Sequence, residues 1–487
     1  MSVINTNVSS LKSQNSLALN QRQLGSAMER LSTGVRINSA KDDAAGLAIS
    51  TRMTSEIRGL TAAVRNANDG ISVAQTAEGS LGEITNILQR LRELAVQSAN
   101  ASNNSTDRSF LNTESSQLIE EAQRIATQTN FNGVRLLDGT FTSQNFQVGA
   151  NAGEVVVFNS IADSKATALG LNSLRTAGSV MNTSLTAANA AVVSTVASET
   201  DLTITTAGGG TTGVITWTGG GTFGADGIAA AINAAANNVG VTAVASNSTT
   251  LSGLNEAGTV SFTLNGQSIS AVVTTTNDLT TLASAINGST SATKVTASFA
   301  NPADKSNMTL TTSDGRNIQL TQFANSGANA AGSAVFGTQT VVENAAHSSN
   351  KIGTVELTSS KGRITVAGAN TTEFATATAA STFSSVYSMD LSTQSGASAA
   401  LGVLDSALTQ VNNTRAGLGG LMNRFAAAVS NQGTAITNLS ASRSRILDTD
   451  YAVETTNLAK AQIIQQAATA MLAQANQSSQ SVLALLK

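Results

Sequence analysis

The chain has no cysteine, one proline (Pro302) and one histidine (His347) in 487 residues. Without thiols there is no disulfide scaffold, thiolate zinc site or cysteine nucleophile. With a single histidine an HExxH metal site is impossible, and a Ser/His/Asp triad could only use His347. That residue sits in the polar stretch Glu343–Asn350, with no nucleophile elbow around it, and reads as a surface histidine. The triple glycines 208–210 and 219–221 lack the GK[ST] of a phosphate loop and read as turns. No catalytic, cofactor or metal site is expected. Aromatics make up 3% of the chain, too few for several thick globular cores. A net charge of −3 gives no general case for binding nucleic acid. No run approaches the ~18 apolar residues of a membrane span. Residues 1–10 have neither the basic nor the apolar region of a cleaved secretory signal. The chain is therefore expected to be cytosolic, or exported by a route that leaves its N-terminus in place.

What is present is unevenly spread. Residues 176–399 hold 17 charges in 224 positions, 11 acidic and 6 basic, whereas the two ends hold 40, 19 acidic and 21 basic. Mixed charge at the ends suits helices with salt-bridged flanks, and the sparse middle is of another kind.

The ends carry heptads. Met53, Leu60, Ala67, Ala74, Leu81, Leu88 and Ala95 recur every seven residues, with Ile57, Val64 and Ile71 in the alternate position. After Ile71 that position turns polar at Glu78, Thr85 and Arg92, which reads as a phase shift in a coiled-coil stripe. These 43 positions span about 64 Å as a helix, so a long partner is required. Leu401, Leu404, Leu408, Val411, Arg415, Leu418, Met422, Phe425, Val429, Gln432, Ile436 and Leu439 supply it in steps of three and four. Met53, Leu60, Leu81, Leu88, Leu418, Phe425 and Leu439 are taken as the core seam. Asp42 and Asp43 can cap the first long helix. A turn-rich loop at 100–107 leads to a second helix carrying Leu111, Leu118, Ala122 and Ile125. Asn132-Gly133 and Asp138-Gly139 then mark one or two hairpins. Nearer the termini, Leu17, Leu24 and Leu31 are seven apart with Met28 and Val35 between. Beyond the break at Asp448–Asp450, a last helix carries Ile464, Ala467, Met471, Gln474, Ser478, Val482 and Leu485. The termini thus nest: ends on ends, long helices on long helices, the middle looped out.

The middle contains a repeat at an offset of 54. Ile228–Asn233 matches Leu282–Asn287, and Val241–Ala243 matches Val295–Ala297. Val260/Phe262/Leu264, Asn265-Gly266 and Ile269/Ala271/Val273 form a hairpin signature, and Met308/Leu310, Asp314-Gly315 and Ile318/Leu320 form another. Two tandem α/β modules are expected, at about 200–255 and 256–323.

These residues resemble bacterial flagellin. The matching stretches are LSTGVRINSAKDDAAGL (31–47), RNANDGISVAQTAEG (65–79), QRLRELAVQSAN (89–100), FNGVRLL (131–137), ASRSRILDTD (441–450) and MLAQANQ (471–477). The likeness covers about 1–175 and 400–487. It implies a flagellar filament subunit with an α-helical coiled-coil core built from nested N- and C-terminal segments, a small β-hairpin region and a β-rich (α+β) inserted outer region. Residues 1–43 and 451–487 would be the two halves of a terminal coiled-coil domain, and 44–175 and 400–450 the two parts of an inner helical domain. Residues 176–399 would project outward. The resemblance implies export without cleavage through the flagellar type III pathway, end helices that order on assembly, and an extracellular helical homopolymer. It also implies an export chaperone, a cap protein and hook–filament junction proteins as partners. Gln89, Arg90, Leu94 and Glu114 match the surface read by the vertebrate Toll-like flagellin receptor. Leu483, Leu485 and Leu486 resemble the tail sensed by cytosolic innate receptors, although the family's Val-Pro before that tail is Ser478-Ser479 here. A hook–filament junction or minor flagellin-like protein, and a non-flagellar coiled-coil adhesin, are the competing readings.

Overall fold

The computed structural model describes residues 6–187, 193–301, 303–327, 331–345, 347–359, 361–369, 372–374 and 379–484. Its helices are α1 (Val8–Thr33), α2 (Ala44–Ala99), α3 (Ser105–Gln128), α4 (Ala225–Ala236), α5 (Thr280–Gly288), the single turn α6 (Thr290–Thr293), α7 (Gln394–Leu447) and α8 (Tyr451–Ala484). Strands occupy the interval between α3 and α7. Two compact units result. One is Met1–Thr76 with Thr142–Ser160 and Gly417–Lys487; the other is Ala77–Phe141 with Ile161–Ala416. The division falls inside α2 and α7.

Helix ends are set by short polar side chains. The Asp43 carboxylate accepts from the Gly46 N–H at 2.8 Å, so α2 starts at Ala44. Asp450 accepts from the Ala452 N–H at 2.9 Å and so restarts the chain after α7. Asn104 and Asp107 form a reciprocal capping box on α3. Gly34, at φ +73°, ends α1 in the left-handed conformation that glycine adopts without strain.

Along α2 an unbroken alternation of three and four runs through the buried positions Leu60, Ala63, Ala67, Gly70, Ala74, Ala77, Leu81, Ile84, Leu88, Leu91, Ala95 and Ser98, with Gly46, Ser50, Val73, Thr85 and Leu94 buried outside that series. There is no slip after Ile71. Ile57, Val64 and Ile71 are half-buried flanks, and the alternate seam position is held by the small Ala63, Gly70 and Ala77 and then by Ile84, Leu91 and Ser98. On α7 the same holds. Leu404, Val411, Leu418, Phe425 and Gln432 are buried, and the alternate position is Ala400, Ala407, Thr414, Leu421 and Ala428, while Leu401, Leu408, Met422 and Val429 flank it half-buried. Met53 and Leu439 are also half-buried. On α3 the buried face is Ser115, Ile119, Ala122 and Ala126, one step from the expected Leu118 and Ile125.

In the first unit the hairpin Gln144–Gln147/Val155–Phe158 lays its aromatics against the helices. Phe146 meets Phe425 edge-on at 5.6 Å and Phe158 at 5.9 Å. Asn66 donates to the Gln147 carbonyl at 3.0 Å. Asn132-Gly133 turns the short expected hairpin Asn130–Phe131/Val134–Arg135. No second hairpin forms about Asp138-Gly139.

The repeat of the middle is structural. Ile228 and Ile232 of α4 and Leu282 and Ile286 of α5 are fully buried in two separate cores. Asn233 clasps the main chain of Ala243 through both its amide atoms, each at 2.7 Å. Asn287 clasps Ala297 identically, at 2.9 and 2.7 Å. The modules are nested rather than tandem. The first core gathers Leu202, Ile204, Trp217 and Val241 with Val355, Leu357, Ile364 and Val366 from beyond the second. The long strand Val241–Ser252 serves both, pairing its first half with Thr354–Ser359 and its second with Met308–Thr312. The Asn265-Gly266 hairpin forms as expected. The Asp314-Gly315 one does not: Met308–Thr312 joins one sheet, and Ile318–Asn325 joins another beside Gly258–Leu264 and Ser348–Lys351. Replacing Asn233 or Asn287 with alanine strands a main-chain N–H and C=O and should cost roughly 1–3 kcal/mol each. Because the cores are separate, the two losses should add in chemical denaturation. A double variant no weaker than either single one would show that the clasps do not hold the modules.

Candidate assembly surfaces

α1 and α8 run antiparallel. Asn7 donates to the Ala475 carbonyl at 3.0 Å, Asn20 to the Ala461 carbonyl at 2.7 Å, and Tyr451 to the Leu31 carbonyl at 3.3 Å. On α1 the seam is Ser10, Ser13, Leu17, Asn20, Leu24, Ala27 and Leu31. The expected leucine heptad is there, but its alternate position is Asn20 and Ala27, and Met28 is exposed. On α8 the seam is Glu454, Leu458, Ala461, Gln465, Ala468, Leu472 and Ala475. The stripe expected there points the other way: Ile464 is 40% and Met471 63% exposed, and Ile463 beside them is 66% exposed. Val8, Leu11 and Leu19 are likewise exposed on α1. The pair thus fully buries Ser10, Asn20, Ala27 and Ala461, holds its seam leucines half-buried, and leaves Val8, Leu11, Leu19, Met28, Ile463, Ile464 and Met471 exposed. Such a distribution leaves apolar surface for a partner to cover.

The α1–α2 connector closes onto the end of α7. The Arg36 N–H donates to the Leu447 carbonyl at 2.6 Å, its guanidinium to the Ile446 carbonyl at 2.8 Å, and Val35 bridges Asp448.

α2 and α7 are antiparallel in each unit. In the first unit, Arg443 reaches Thr54 at 3.4 Å. In the second, Arg415 meets Glu78 and Arg92 meets Asp405, both at 2.7 Å, and Ser98 donates to the Leu391 carbonyl at 2.6 Å. The two charged residues at the positions read as a polar lapse in the seam are thus those that pair with α7. Hydrogen bonding to Asp405 holds the Arg92 guanidinium above its ordinary range. Thr85, the third, is buried and donates to the Leu81 carbonyl.

The four residues matched to the Toll-like receptor surface do not share one environment. Gln89, Arg90 and Glu114 are exposed, and Arg90 pairs with Glu114 at 2.8 Å and Glu93 at 3.0 Å. These hydrogen bonds, Glu114's first, raise the Arg90 pKa. Leu94 is 1% exposed and belongs to the seam wall. Of Leu483 only the backbone is described, and Leu485 and Leu486 lie outside the described residues.

Buried ionisable groups occur in the outer region, where they are tied to main chain. Glu373 accepts from the Ala197 N–H at 2.8 Å, and burial raises its pKa. Lys351 donates to the Asn182 carbonyl at 2.5 Å, and burial lowers its pKa. Among the described residues no helix is long and apolar enough to cross a membrane.

Residues 4–142 match the bacterial flagellin N-terminal helical region, and residues 401–486 match the bacterial flagellin C-terminal helical region. The chain is 41% identical to the B-type flagellin of Pseudomonas aeruginosa, with 99% of each chain covered. It is 37% identical to a flagellin of Salmonella choleraesuis, over 100% of this chain and 99% of that one. It is 36% identical to flagellin B of Vibrio cholerae over 99% of each.

Proposed function

Because this chain belongs to the bacterial flagellin family and is a structural subunit of the flagellar filament, we propose that burial of the outward stripes of α1 and α8 against neighbouring copies drives its assembly. The observation that carries this reading is the inverted burial of that pair, with Ile463, Ile464 and Met471 outside and asparagine and alanine inside. Ordering some 60 residues of α1 and α8 costs of order 1–2 kcal/mol each in backbone entropy. The seam between them, with its leucines only half-buried and serine, asparagine and alanine at its fully buried positions, offsets only part of that. Folding of the ends is thus coupled to polymerisation, and contacts that do not close on themselves extend into an open helical filament. Residues 1–43 and 451–487 line the filament core, 44–175 and 400–450 form the tube around it, and 176–399 project outward. The subunit catalyses nothing. It waits in the cytoplasm, where an export chaperone covers the exposed stripe of α8, leaves uncleaved by the type III route, and meets junction and cap proteins at the growing end. Nothing observed favours the junction-protein or adhesin reading. Seeded polymerisation of the purified monomer, followed by circular dichroism, tests the coupling. Helix signal should rise with filament mass. Filaments that grow with no gain in helix would refute it.

Gln89, Arg90 and Glu114 form the receptor-facing patch, and Leu94 acts by keeping α2 in place beneath it. Arg90→Ala should then abolish the receptor response while filaments form normally. Leu94→Ala should instead lower stability by about 2–5 kcal/mol, as a large-to-small change in a packed seam. An unchanged response from Arg90→Ala monomers would remove the assignment. The C-terminal leucines 483, 485 and 486 are the segment offered to cytosolic receptors, a reading supported by the exposure of Ile463, Ile464 and Met471 earlier in α8.

A further inference from the structure

The outer region contains a cleft of about 350 Å³ that the assembly surfaces do not use. Thr222, Asp226, Asn265, Arg316, Asn317 and Asn350 line it. It lies at the N-terminal end of α4, whose first-turn N–H groups lack helical acceptors. Asn317 is 8% exposed. Its amide nitrogen donates to the Thr222 and Phe223 carbonyls at 3.4 and 3.3 Å, and its Oδ1 accepts from no protein group. Asp226 Oδ1 is buried in the same state. The two oxygens are neighbours: the point a Cβ on Gly224 would occupy lies 2.5 Å from Asn317 Oδ1 and 3.0 Å from Asp226 Oδ1. Buried acceptors without donors are rare in folded proteins and call for a partner. On the other side, Arg316 gives Nε and Nη2 to Asp314 and retains further N–H donors.

We propose that this cleft binds a neutral saccharide. Asp226 and Asn317 line the wall beside the Arg316 donors, so the cleft carries acceptor and donor side chains together, and adjacent hydroxyls satisfy both because each gives and accepts a hydrogen bond. A divalent cation would want six or more oxygens, and here it would have one carboxylate beside a guanidinium. An anion would face Asp226 and the bare amide oxygen. The volume lies at the small end of ligand sites, the size of one or two sugar rings.

Saturation-transfer NMR on the full-length chain with the methyl glycosides of glucose, galactose and mannose tests the site. At least one should bind at roughly 1 mM, as befits a small polar ligand. Asp226→Ala and Asn317→Ala should each weaken it at least tenfold, and Asp226→Asn, which keeps an acceptor, should weaken it less than Asp226→Ala. Asp226→Ala decides the matter if Asn317→Ala fails to fold, since Asp226 is only half-buried on the first turn of α4. Absence of transfer from all three glycosides, transfer indifferent to Asp226→Ala, or an Asp226-dependent response to calcium chloride alone would each overturn the proposal.

Discussion

Replacing Ile463, Ile464 and Met471 together with glutamine should raise the critical concentration for polymerisation about 100-fold while leaving the monomer's folded second unit unchanged. Ile463 and Met471 are 66% and 63% exposed, and Ile464, 40% exposed, borders a groove beside Gln23, Ser26 and Ala27 of α1. Each would gain roughly 1 kcal/mol on being covered, about half of full burial for an Ile or Met side chain, because each is already partly covered by its own helix. Three such terms sum to about 3 kcal/mol per subunit, and 1.4 kcal/mol is a factor of ten in an association constant. Glutamine keeps helix propensity near that of methionine, so a loss of assembly would not be a loss of helix. The control is the matching set Leu458, Ala461 and Leu472, which face α1. Substituting those should weaken the α1–α8 pair itself, seen as lost helix signal in the filament. The distinction fails if sedimentation assays give the α8 outward variant a wild-type critical concentration, and the outward stripe then has no part in assembly.

The helices, their breaks at Asp43 and Asp450 and their antiparallel nesting could be read from heptads and caps. Which residues fill the seam could not, and the error has one cause on all four helices. Pattern reading ranks positions by apolar size, so Met28, Ile57, Val64, Ile71, Leu401, Leu408, Met422, Ile464 and Met471 drew attention. The structure gives one seam position largely to small residues, among them Ala27, Ala63, Gly70, Ala77, Ala400, Ala407 and Ala461. Close antiparallel packing needs small side chains between the backbones, and large ones are displaced to the flanks. On the proposed assembly those flanks face neighbouring copies, a partner that one chain's sequence does not contain. The apparent slip after Ile71 was the same error, since Ala77 and Ile84 continue the phase of Ala63 and Gly70. In the outer region the repeat was legible because Asn233 and Asn287 do the same local work. The nesting was not, because it rests on the strand Val241–Ser252 reaching Thr354–Ser359 more than a hundred residues away.

Phe425→Ala should destabilise the first unit by about 3–5 kcal/mol, the range for removing a fully buried aromatic ring. The ring is completely buried and contacts Phe146 edge-on at 5.6 Å. Its other neighbour is the backbone of Gly70: a Cβ there would lie 2.8–3.2 Å from three ring carbons. Gly70→Ala therefore sets two effects against each other. Alanine is favoured over glycine in a helix interior by about 1 kcal/mol, but a contact this short forces the ring or the helix to move. Overpacking of this kind typically costs about 1–3 kcal/mol, so the net change should be destabilising by about 0–2 kcal/mol. In the Phe425→Ala background the ring is gone and only the helix term remains. The same Gly70→Ala change should then stabilise by about 1 kcal/mol. The sign reversal is the signature of direct contact, and a double-mutant cycle in urea measures it as a coupling energy of roughly 1–3 kcal/mol. If Gly70→Ala has the same effect in both backgrounds, the glycine is not there to admit the ring, and the small-residue seam of α2 owes its composition to something other than close approach to α7.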